Sequence, residues 1–193
     1  QLLQEAAATH PNNIAVRLVL RYLPLGLRIE AKLTYAELNR LSDRFAAALA
    51  GLGVRRGDRV ALLLPNLPQQ VIAYFGVLKA GAVVVNMNPT YPPYELEPLL
   101  RAAGAETVVT LSGLYARIRE VQGQTALKRI ILTDVAEMVA WPWRGLVAKQ
   151  AAAAGLLAAV PADAPVLWFK QLIASAPAQA PHVPIDPADT AIF

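Results

Sequence analysis

One loop of this chain, residues 86–91, brings together side chains that are able to contact a small molecule. Asn86 and Asn88 each offer an amide donor and a carbonyl acceptor, and Tyr91 adds a phenol hydroxyl. The loop follows the apolar run 82–85, which predicts a buried strand. Open α/β sheets place their ligands at the carboxyl ends of strands. An ordinary turn built by Asn and Pro is the favoured interpretation, and these three residues are the candidates for a substrate-proximal position.

The other polar groups do not fit a catalytic pattern. His10 and His182 stand beside prolines, with no serine or carboxylate at the spacing of a catalytic triad. Asp186 and Asp189 lie in a proline-rich stretch and are too few to hold a metal ion. Lys79, at the end of a predicted helix, is explained by its favourable interaction with the helix dipole. We predict no catalytic residue, no metal ligand and no cofactor-binding residue within this chain.

Three glycines, Gly51, Gly53 and Gly57, have a spacing similar to that of a dinucleotide-binding motif. They follow a predicted helix and precede a predicted strand, whereas the motif requires a strand that leads into a helix whose N-terminus faces the pyrophosphate. The chain also has no GxxxxGK[ST] loop. The three glycines therefore predict a turn and not a phosphate site.

Strands and helices alternate along most of the chain, which predicts an α/β fold with a mostly parallel sheet flanked by helices. Thr34 and Glu37 have the spacing of a capping box, and Ser112 is the predicted cap of a later helix. The predicted elements are a helix at 2–8, an N-terminal β-hairpin of strands 14–22 and 27–33, a helix at 34–53, a strand at 59–64, a helix at 68–81, a strand at 82–85, a helix at 92–104, a strand at 106–111, a helix at 112–121 and a strand at 130–133.

The composition changes after residue 140. An alanine-rich stretch at 146–160 has a weak helical pattern, and residues 166–174 predict a short amphipathic helix. Four prolines follow Ser175, which predicts an extended connector, and residues 189–193 resemble the beginning of a strand. We divide the chain into an α/β subdomain at 1–140, an apolar helical segment at 141–174 and a proline-rich connector at 175–193.

The overall composition excludes several classes of function. The 193 residues are 55% hydrophobic and 17% charged with a net charge of +4, a balance typical of a folded domain. The positive charges are scattered, and Arg55-Arg56 is the tightest pair, so we predict no nucleic-acid partner. The chain has no cysteine, which excludes disulfides and thiolate zinc sites and is compatible with a cytoplasmic location. Prolines and amides interrupt the longest uncharged run, 60–78, so we predict two soluble elements there and no membrane span.

Three strings resemble the N-terminal part of the adenylate-forming superfamily, which includes acyl-CoA synthetases, luciferases and nonribosomal adenylation domains. They are LTYAEL at 33–38, LKAGAVVVNMNP at 78–89 and GAETVV at 104–109, in the order and spacing of the family. The wording VVVNMNPTYPPYELE at 83–97 is similar to that of bacterial long-chain fatty acyl-CoA synthetases. The long apolar region that begins WPWRGLV supports the same subgroup, with an aryl or medium-chain acyl-CoA ligase as the alternative.

The resemblance implies a two-step ligase. A fatty acid carboxylate attacks the α-phosphate of Mg-ATP to give acyl-adenylate and pyrophosphate, and the CoA thiol then displaces AMP. The phosphate loop, the adenine motif, the ribose aspartate and the C-terminal lysine of the family match no residues here. The resemblance therefore implies that ATP, Mg and CoA serve the full-length enzyme, that this chain is an N-terminal fragment, and that the fragment alone is inactive. The start at Gln1 instead of Met predicts that the true N-terminus lies upstream or was removed.

Several partners follow from this interpretation. Fatty acid and CoA are the expected substrates of the full-length enzyme, and the fragment is expected to self-associate through sheet edges and apolar surface. The expected location is the cytoplasm, with peripheral contact at the inner membrane. Residues 141–173 form either a membrane-surface or partner-binding segment or part of the core and acyl tunnel. Packing is favoured because Arg144, Lys149 and Lys170 are the only basic residues there.

Overall fold

The computed structural model describes residues 2–184, 186 and 188–193. Gln1 at the chain start and Pro187, one of the four connector prolines, lie outside the described residues. The helices are α1 (Leu2–Thr9), α2 (Tyr35–Gly51), α3 (Pro68–Lys79), α4 (Pro93–Ala103), α5 (Tyr115–Gln122), α6 (Arg144–Ala153) and α7 (Phe169–Ser175). The strands are β1 (Ile14–Tyr22), β2 (Arg28–Thr34), β3 (Arg59–Leu63), β4 (Val83–Asn86), β5 (Thr107–Leu111), β6 (Arg129–Thr133) and β7 (Leu167–Trp168).

Five strands form a parallel sheet in the order β4-β3-β5-β6-β7. All five residues of β5 are buried, as expected for a parallel strand whose two faces are both covered by helices. In register, Leu62 of β3 lies opposite Asn86 of β4 on one side and Val109 of β5 on the other. The predicted α/β fold with a mostly parallel sheet is confirmed.

The predicted N-terminal hairpin is also confirmed, with β1 and β2 antiparallel. Along β2 the buried residues Ile29, Ala31 and Leu33 alternate with more exposed ones, because successive side chains of a strand point to opposite faces. A single 3-10 turn, Pro24–Gly26, connects the two strands.

Helix α2 begins at the capping box that the sequence predicts. The Glu37 amide donates to Thr34 Oγ1 over 3.2 Å, and the Thr34 amide donates to Glu37 Oε2 over 2.8 Å. Helix α2 packs closely on α3, since a Cβ added at Gly76 would lie 2.7 Å from Cδ1 of Phe45. This contact fixes α3, whose first turn follows directly on the carboxyl end of β3.

The prediction that Ser112 caps the next helix is wrong. Ser112 begins a 3-10 turn, and α5 starts only at Tyr115 without a side-chain cap. The Ser112 hydroxyl instead donates to Asp134 Oδ1 over 2.5 Å and accepts from the Ala158 amide over 3.2 Å. A hydrogen bond to a carboxylate is stronger than one to a neutral amide, so the serine contacts the neighbouring strand end and not its own helix.

The region after residue 140 differs from its predicted elements in two places. The helix expected through 146–160 is α6, which ends at Ala153 because Gly155 turns the chain with a φ of 71°. The helix expected at 166–174 starts only at Phe169, because Leu167 and Trp168 first pair with Ile131 and Leu132 at the edge of β6. A free strand edge offers unpaired backbone groups, and this pairing satisfies some of them.

The last residues extend the sheet on its other side. Ile192 forms an isolated parallel bridge with Val84, the Phe193 amide donates to the Val84 carbonyl over 2.9 Å, and the Asn86 amide donates to the Phe193 carbonyl over 3.3 Å. The strand beginning predicted at 189–193 is therefore present as a short addition to the free edge of β4. Across the described ranges, no helix combines the length and the apolar character needed to cross a bilayer.

Candidate functional site

A pocket of about 410 Å³ opens at the carboxyl edge of the sheet, where β3 and β4 end. The two strands are parallel neighbours, so the segments that follow them leave the sheet at the same edge. The pocket is lined by Leu64, Pro65, Asn66, Gln70, Asn86, Met87, Asn88 and Pro89. It lies where an open α/β sheet commonly binds a ligand.

Two of the three residues predicted from the sequence line this pocket. Asn86 is the last residue of β4, and the Asn86 side chain is exposed, with no hydrogen bond among the described residues. Asn88 is also exposed, and its Oδ1 accepts from the Thr90 amide over 3.0 Å and from the Thr90 hydroxyl over 2.8 Å. Asn88 therefore stabilises the turn and keeps its amide donor available at the pocket.

The third residue, Tyr91, does not line the pocket and is half-buried beside it. Its carbonyl accepts from Arg117 Nη1 over 3.3 Å, and the Pro89 carbonyl accepts from the same nitrogen over 3.1 Å. One guanidinium of α5 thus holds both ends of the short segment 89–91. Tyr91 belongs to the support of the loop, and the pocket wall is made by the two asparagines before it.

Sequence reasoning missed Asn66 and Gln70, which complete the wall from the side of β3. For residues 65–70 the sequence predicts an interruption of an apolar run and the start of a helix, and no contact with a ligand. The available signal was positional, because Asn66 follows the end of β3 closely and Asn86 ends β4. The four side chains present neutral amide donors and acceptors, so the pocket is suited to orienting a polar ligand and contains no general base or nucleophile of its own.

A second polar cluster lies along the same edge, at the ends of β5 and β6. Gln69 is fully buried, and its Nε2 donates to the Asp134 carbonyl over 2.8 Å, while its Oε1 has no partner among the described residues. The Thr133 hydroxyl donates to the carboxylate of Glu137. Burial is the main reason that the pKa of Glu137 is raised above its ordinary value of 4.5. The cluster ties the first turn of α3 to the end of β6.

Two of the other polar residues, Lys79 and Asp189, have structural roles. Lys79 does not rely on the helix dipole alone, since its Nζ donates to Asp43 Oδ1 over 2.7 Å and to Ser42 Oγ over 2.8 Å. His10 and His182 are both exposed. Asp189 Oδ2 accepts from Arg56 Nε over 3.0 Å and Asp189 Oδ1 accepts from Arg56 Nη2 over 2.8 Å, a bidentate contact that holds the C-terminal segment.

The predicted glycine turn is confirmed. Gly53 and Gly57 have φ values of 83° and 82°, a backbone region that glycine adopts without strain, and the Gly57 amide donates to the Gly81 carbonyl over 2.9 Å. Gly51 is the last residue of α2. The Gly57 amide is occupied by the protein's own backbone, so this turn does not provide the row of amide donors that a phosphate cradle needs.

The residues present do not fit a magnesium site. In the part of the chain that the structure describes, no three His, Cys, Asp or Glu side chains come together as metal ligands. Mg²⁺ is bound through carboxylates and substrate phosphates, and the amide-lined pocket contains no carboxylate. The chemistry that this region can supply is therefore binding and orientation.

The chain is similar to CoA ligases. It is 41% identical over 117 residues to the long-chain-fatty-acid–CoA ligase of Escherichia coli O6:H1, an alignment that covers 60% of this chain and 21% of the ligase. It is 50% identical over 82 residues to 4-coumarate–CoA ligase 1 of Oryza sativa subsp. japonica, covering 42% of this chain and 14% of that enzyme. The alignments thus span only a fraction of each relative's length.

A solved structure and a protein-family model also match this chain. The apo structure of Mycobacterium smegmatis MbtA matches 99% of this chain and 29% of its own length, with a TM-score of 0.71 and 30% sequence identity. The AMP-binding enzyme family matches residues 3–193. The resemblance to adenylate-forming enzymes is confirmed, and this chain belongs to the AMP-binding enzyme family.

Proposed function

We propose that this chain is the N-terminal part of an ATP-dependent ligase that joins long-chain fatty acids to CoA. The observation that carries the proposal is the 41% identity over 117 residues to a long-chain-fatty-acid–CoA ligase, within a family match that covers residues 3–193. The enzyme forms an acyl-adenylate from fatty acid and ATP, and then transfers the acyl group to the thiol of CoA. ATP, Mg²⁺ and CoA are reactants and cofactor of the whole enzyme.

In this proposal the chain orients the substrate, and the catalytic groups lie outside it. Asn86 and Asn88 are the substrate-proximal residues, with Asn66 and Gln70 opposite them in the pocket wall, while Tyr91 supports the loop. Amide side chains orient a ligand through paired donors and acceptors, and a well-oriented ligand reacts faster because less entropy is lost on the way to the transition state. The charge stabilisation that a crowded phosphate needs comes from residues outside this chain.

The isolated chain is therefore inactive and binds no Mg-ATP. The amide-lined pocket supports this, because it offers neither a cation nor a row of free backbone amides to a triphosphate. Titration calorimetry of the 193-residue chain with Mg-ATP should give no binding heat. Binding with a micromolar dissociation constant would contradict this part of the proposal.

The acyl group separates two candidate substrate classes. The 50% identity to 4-coumarate–CoA ligase 1 over 82 residues supports an aryl or medium-chain acid as the second candidate. The protein continued to the full length of its relatives should be given CoA, ATP and equal amounts of palmitate, octanoate and 4-coumarate. Mass spectrometry of the thioesters should show mainly palmitoyl-CoA. A preference for coumaroyl-CoA would assign the chain to the aryl ligases instead.

The segment 141–173 is part of the protein core and acyl tunnel in this proposal. Phe169 is fully buried, and its ring centroid lies 4.8 Å from that of Phe45 on α2. Ile173 of the same helix is only 7% exposed. The burial of these two side chains supports packing of the C-terminal part of the segment, whereas Trp141 at its start is 89% exposed and does not pack in the core.

Three further properties are proposed on the same basis. The division into 1–140, 141–174 and 175–193 predicts that limited proteolysis cuts first near residues 140 and 175. The isolated chain self-associates, because Ile192 and Phe193 leave apolar surface at a sheet edge, and a clean monomer by light scattering at micromolar concentration would contradict this. The whole enzyme is cytoplasmic, with peripheral contact at the inner membrane.

A further inference from the structure

The tip of the N-terminal hairpin exposes large apolar side chains. Leu25 is 98% exposed, Tyr22 is 74% exposed and Leu27 is 61% exposed. The loop itself is well formed, since the Leu23 amide donates to the Leu27 carbonyl over 2.8 Å. The tip is thus an ordered projection that presents leucine to water, and not a frayed chain end.

Packing within the described residues does not explain why a leucine stands at the tip of the hairpin. Leu25 has a φ of 60° and a ψ of 25°, a left-handed conformation that glycine or asparagine adopts more easily than leucine. An almost fully exposed leucine also buries no apolar surface in the core. The position therefore carries both backbone strain and apolar exposure, which points to a surface that becomes buried elsewhere.

The charges beside the tip indicate what that surface meets. Residues 14–34 contain four cations, Arg17, Arg21, Arg28 and Lys32, against one carboxylate. That carboxylate, Glu30, lies 3.6 Å from Arg17 and 3.7 Å from Arg28. Arg21 has no salt bridge among the described residues and directly precedes the exposed Tyr22. An apolar turn flanked by arginine and tyrosine suits the interface of an anionic bilayer. The apolar side chains enter the bilayer there, and the cations contact lipid phosphates.

We propose that the hairpin tip, residues 21–28, docks on an anionic phospholipid surface, with Leu25 and Leu27 inserted and Arg21 and Arg28 at the lipid phosphates. The surface is distinct from the segment 141–173, whose Phe169 and Ile173 are buried. The proposal assigns the peripheral membrane contact proposed above to one surface. It does not rest on the ligase activity, because docking needs neither ATP nor a reactive acyl group.

Flotation of the chain with lipid vesicles in a density gradient tests this docking. Vesicles of phosphatidylcholine with about one third phosphatidylglycerol should carry the chain upward, and vesicles of phosphatidylcholine alone should bind much less. Flotation separates vesicle-bound protein from aggregates, which sediment. Failure to float with the anionic vesicles at low salt would overturn the proposal.

Variants locate the contact on the tip. Leu25→Asn combined with Leu27→Ser should reduce vesicle affinity at least about tenfold, since each leucine that inserts into the bilayer is replaced by a polar residue. Asparagine tolerates the left-handed backbone, so this variant should keep its circular dichroism spectrum. Arg21→Gln should reduce affinity about fivefold for anionic vesicles and leave neutral vesicles unaffected.

Matched controls use exposed apolar residues outside the tip. Leu2 is 83% exposed and Trp141 is 89% exposed, so Leu2→Ser and Trp141→Ala remove similar surface elsewhere. Both should keep the parent's vesicle affinity. If Trp141→Ala abolished flotation while the tip variant retained it, the proposal would be wrong. It would also be wrong if the tip variant changed only the oligomeric state, which would assign the tip to contact with a second copy.

Discussion

Nζ of Lys79 lies 2.7 Å from Oδ1 of Asp43, across the contact between α3 and α2. The two side chains are only 14% and 18% exposed, and the same ammonium also donates to the Asn39 side chain over 2.8 Å. Burial lowers the pKa of Lys79 from its ordinary value of 10.5, and the contact with Asp43 opposes that shift. The pair holds the C-terminal end of α3 against α2.

Removing one partner of this pair should destabilise the protein more than removing both. Asp43→Ala leaves a mostly buried ammonium without its counter-charge and should lower the free energy of unfolding by about 2–4 kcal/mol. The double variant Asp43→Ala with Lys79→Met should lose less, because no unpaired charge remains. Urea unfolding of the two single variants and the double variant gives the coupling energy. Additive effects would show that the pair contributes no interaction of its own.

Glu137 should make stability depend on pH. Burial raises the pKa of its carboxyl above 4.5, and the hydrogen bond from the Thr133 hydroxyl is the largest opposing contribution. The folded state therefore binds this proton more tightly than the unfolded state. The contribution to the free energy of unfolding is complete below pH 4.5 and declines as pH rises through the raised pKa.

Glu137→Gln should remove this decline, so that the variant gains stability over the parent as pH rises from 4.5 to near neutrality. The measurement is urea unfolding of both proteins across that range, compared as a difference. A constant difference between parent and variant would mean that Glu137 does not titrate differently on folding.

Gly76→Ala tests how closely α2 and α3 pack. The added Cβ would lie 2.7 Å from Cδ1 of Phe45 and 3.2 Å from the Ser42 carbonyl, so the helices must separate. We expect a loss of about 1–3 kcal/mol in the free energy of unfolding. The control is Gly145→Ala in α6, where a Cβ meets no atom within 4 Å and alanine should stabilise the helix by up to about 1 kcal/mol. Equal effects of both substitutions would contradict the close contact.

Asn86→Ala tests the pocket at the carboxyl edge. In the protein continued to the full length of its relatives, loss of this amide should lower kcat/KM about tenfold, the effect of one lost hydrogen bond. Melting temperature should not change, because the side chain is exposed and unpaired among the described residues. The control Asn12→Ala removes an exposed asparagine outside the pocket and should leave kcat/KM unchanged. An unchanged kcat/KM for Asn86→Ala would exclude this residue from the site.

The parts of the fold that the sequence predicts correctly are those determined by neighbours in the chain. The capping box of Thr34 and Glu37 closes within one turn, and short apolar runs become β3 and β4, the second of them with three consecutive valines. The sequence identifies the loop containing Asn86 and Asn88 as a candidate site because the loop directly follows such a run. Local chemistry is sufficient for these elements.

The parts that differ depend on residues far along the chain. Ser112 forms hydrogen bonds with Asp134 and Ala158 instead of capping a helix. Leu167 lies in a strand because it pairs with Ile131 at the free edge of β6. Asn66 joins the pocket only because β3 and β4 are neighbours in the sheet, and strand order is not encoded in any local pattern. Tertiary contacts decide these positions, and a single sequence does not show them.

The measurement that tests the central claim most directly is exchange of labelled pyrophosphate into ATP by the protein continued to the full length of its relatives. Forming and reversing an acyl-adenylate requires both ATP and the carboxylic acid, so the exchange reports this half-reaction without CoA. We predict rapid exchange that depends on a long-chain fatty acid, and none by the 193-residue chain alone. Exchange by the chain alone, or no exchange by the longer protein with any carboxylic acid, would contradict the account.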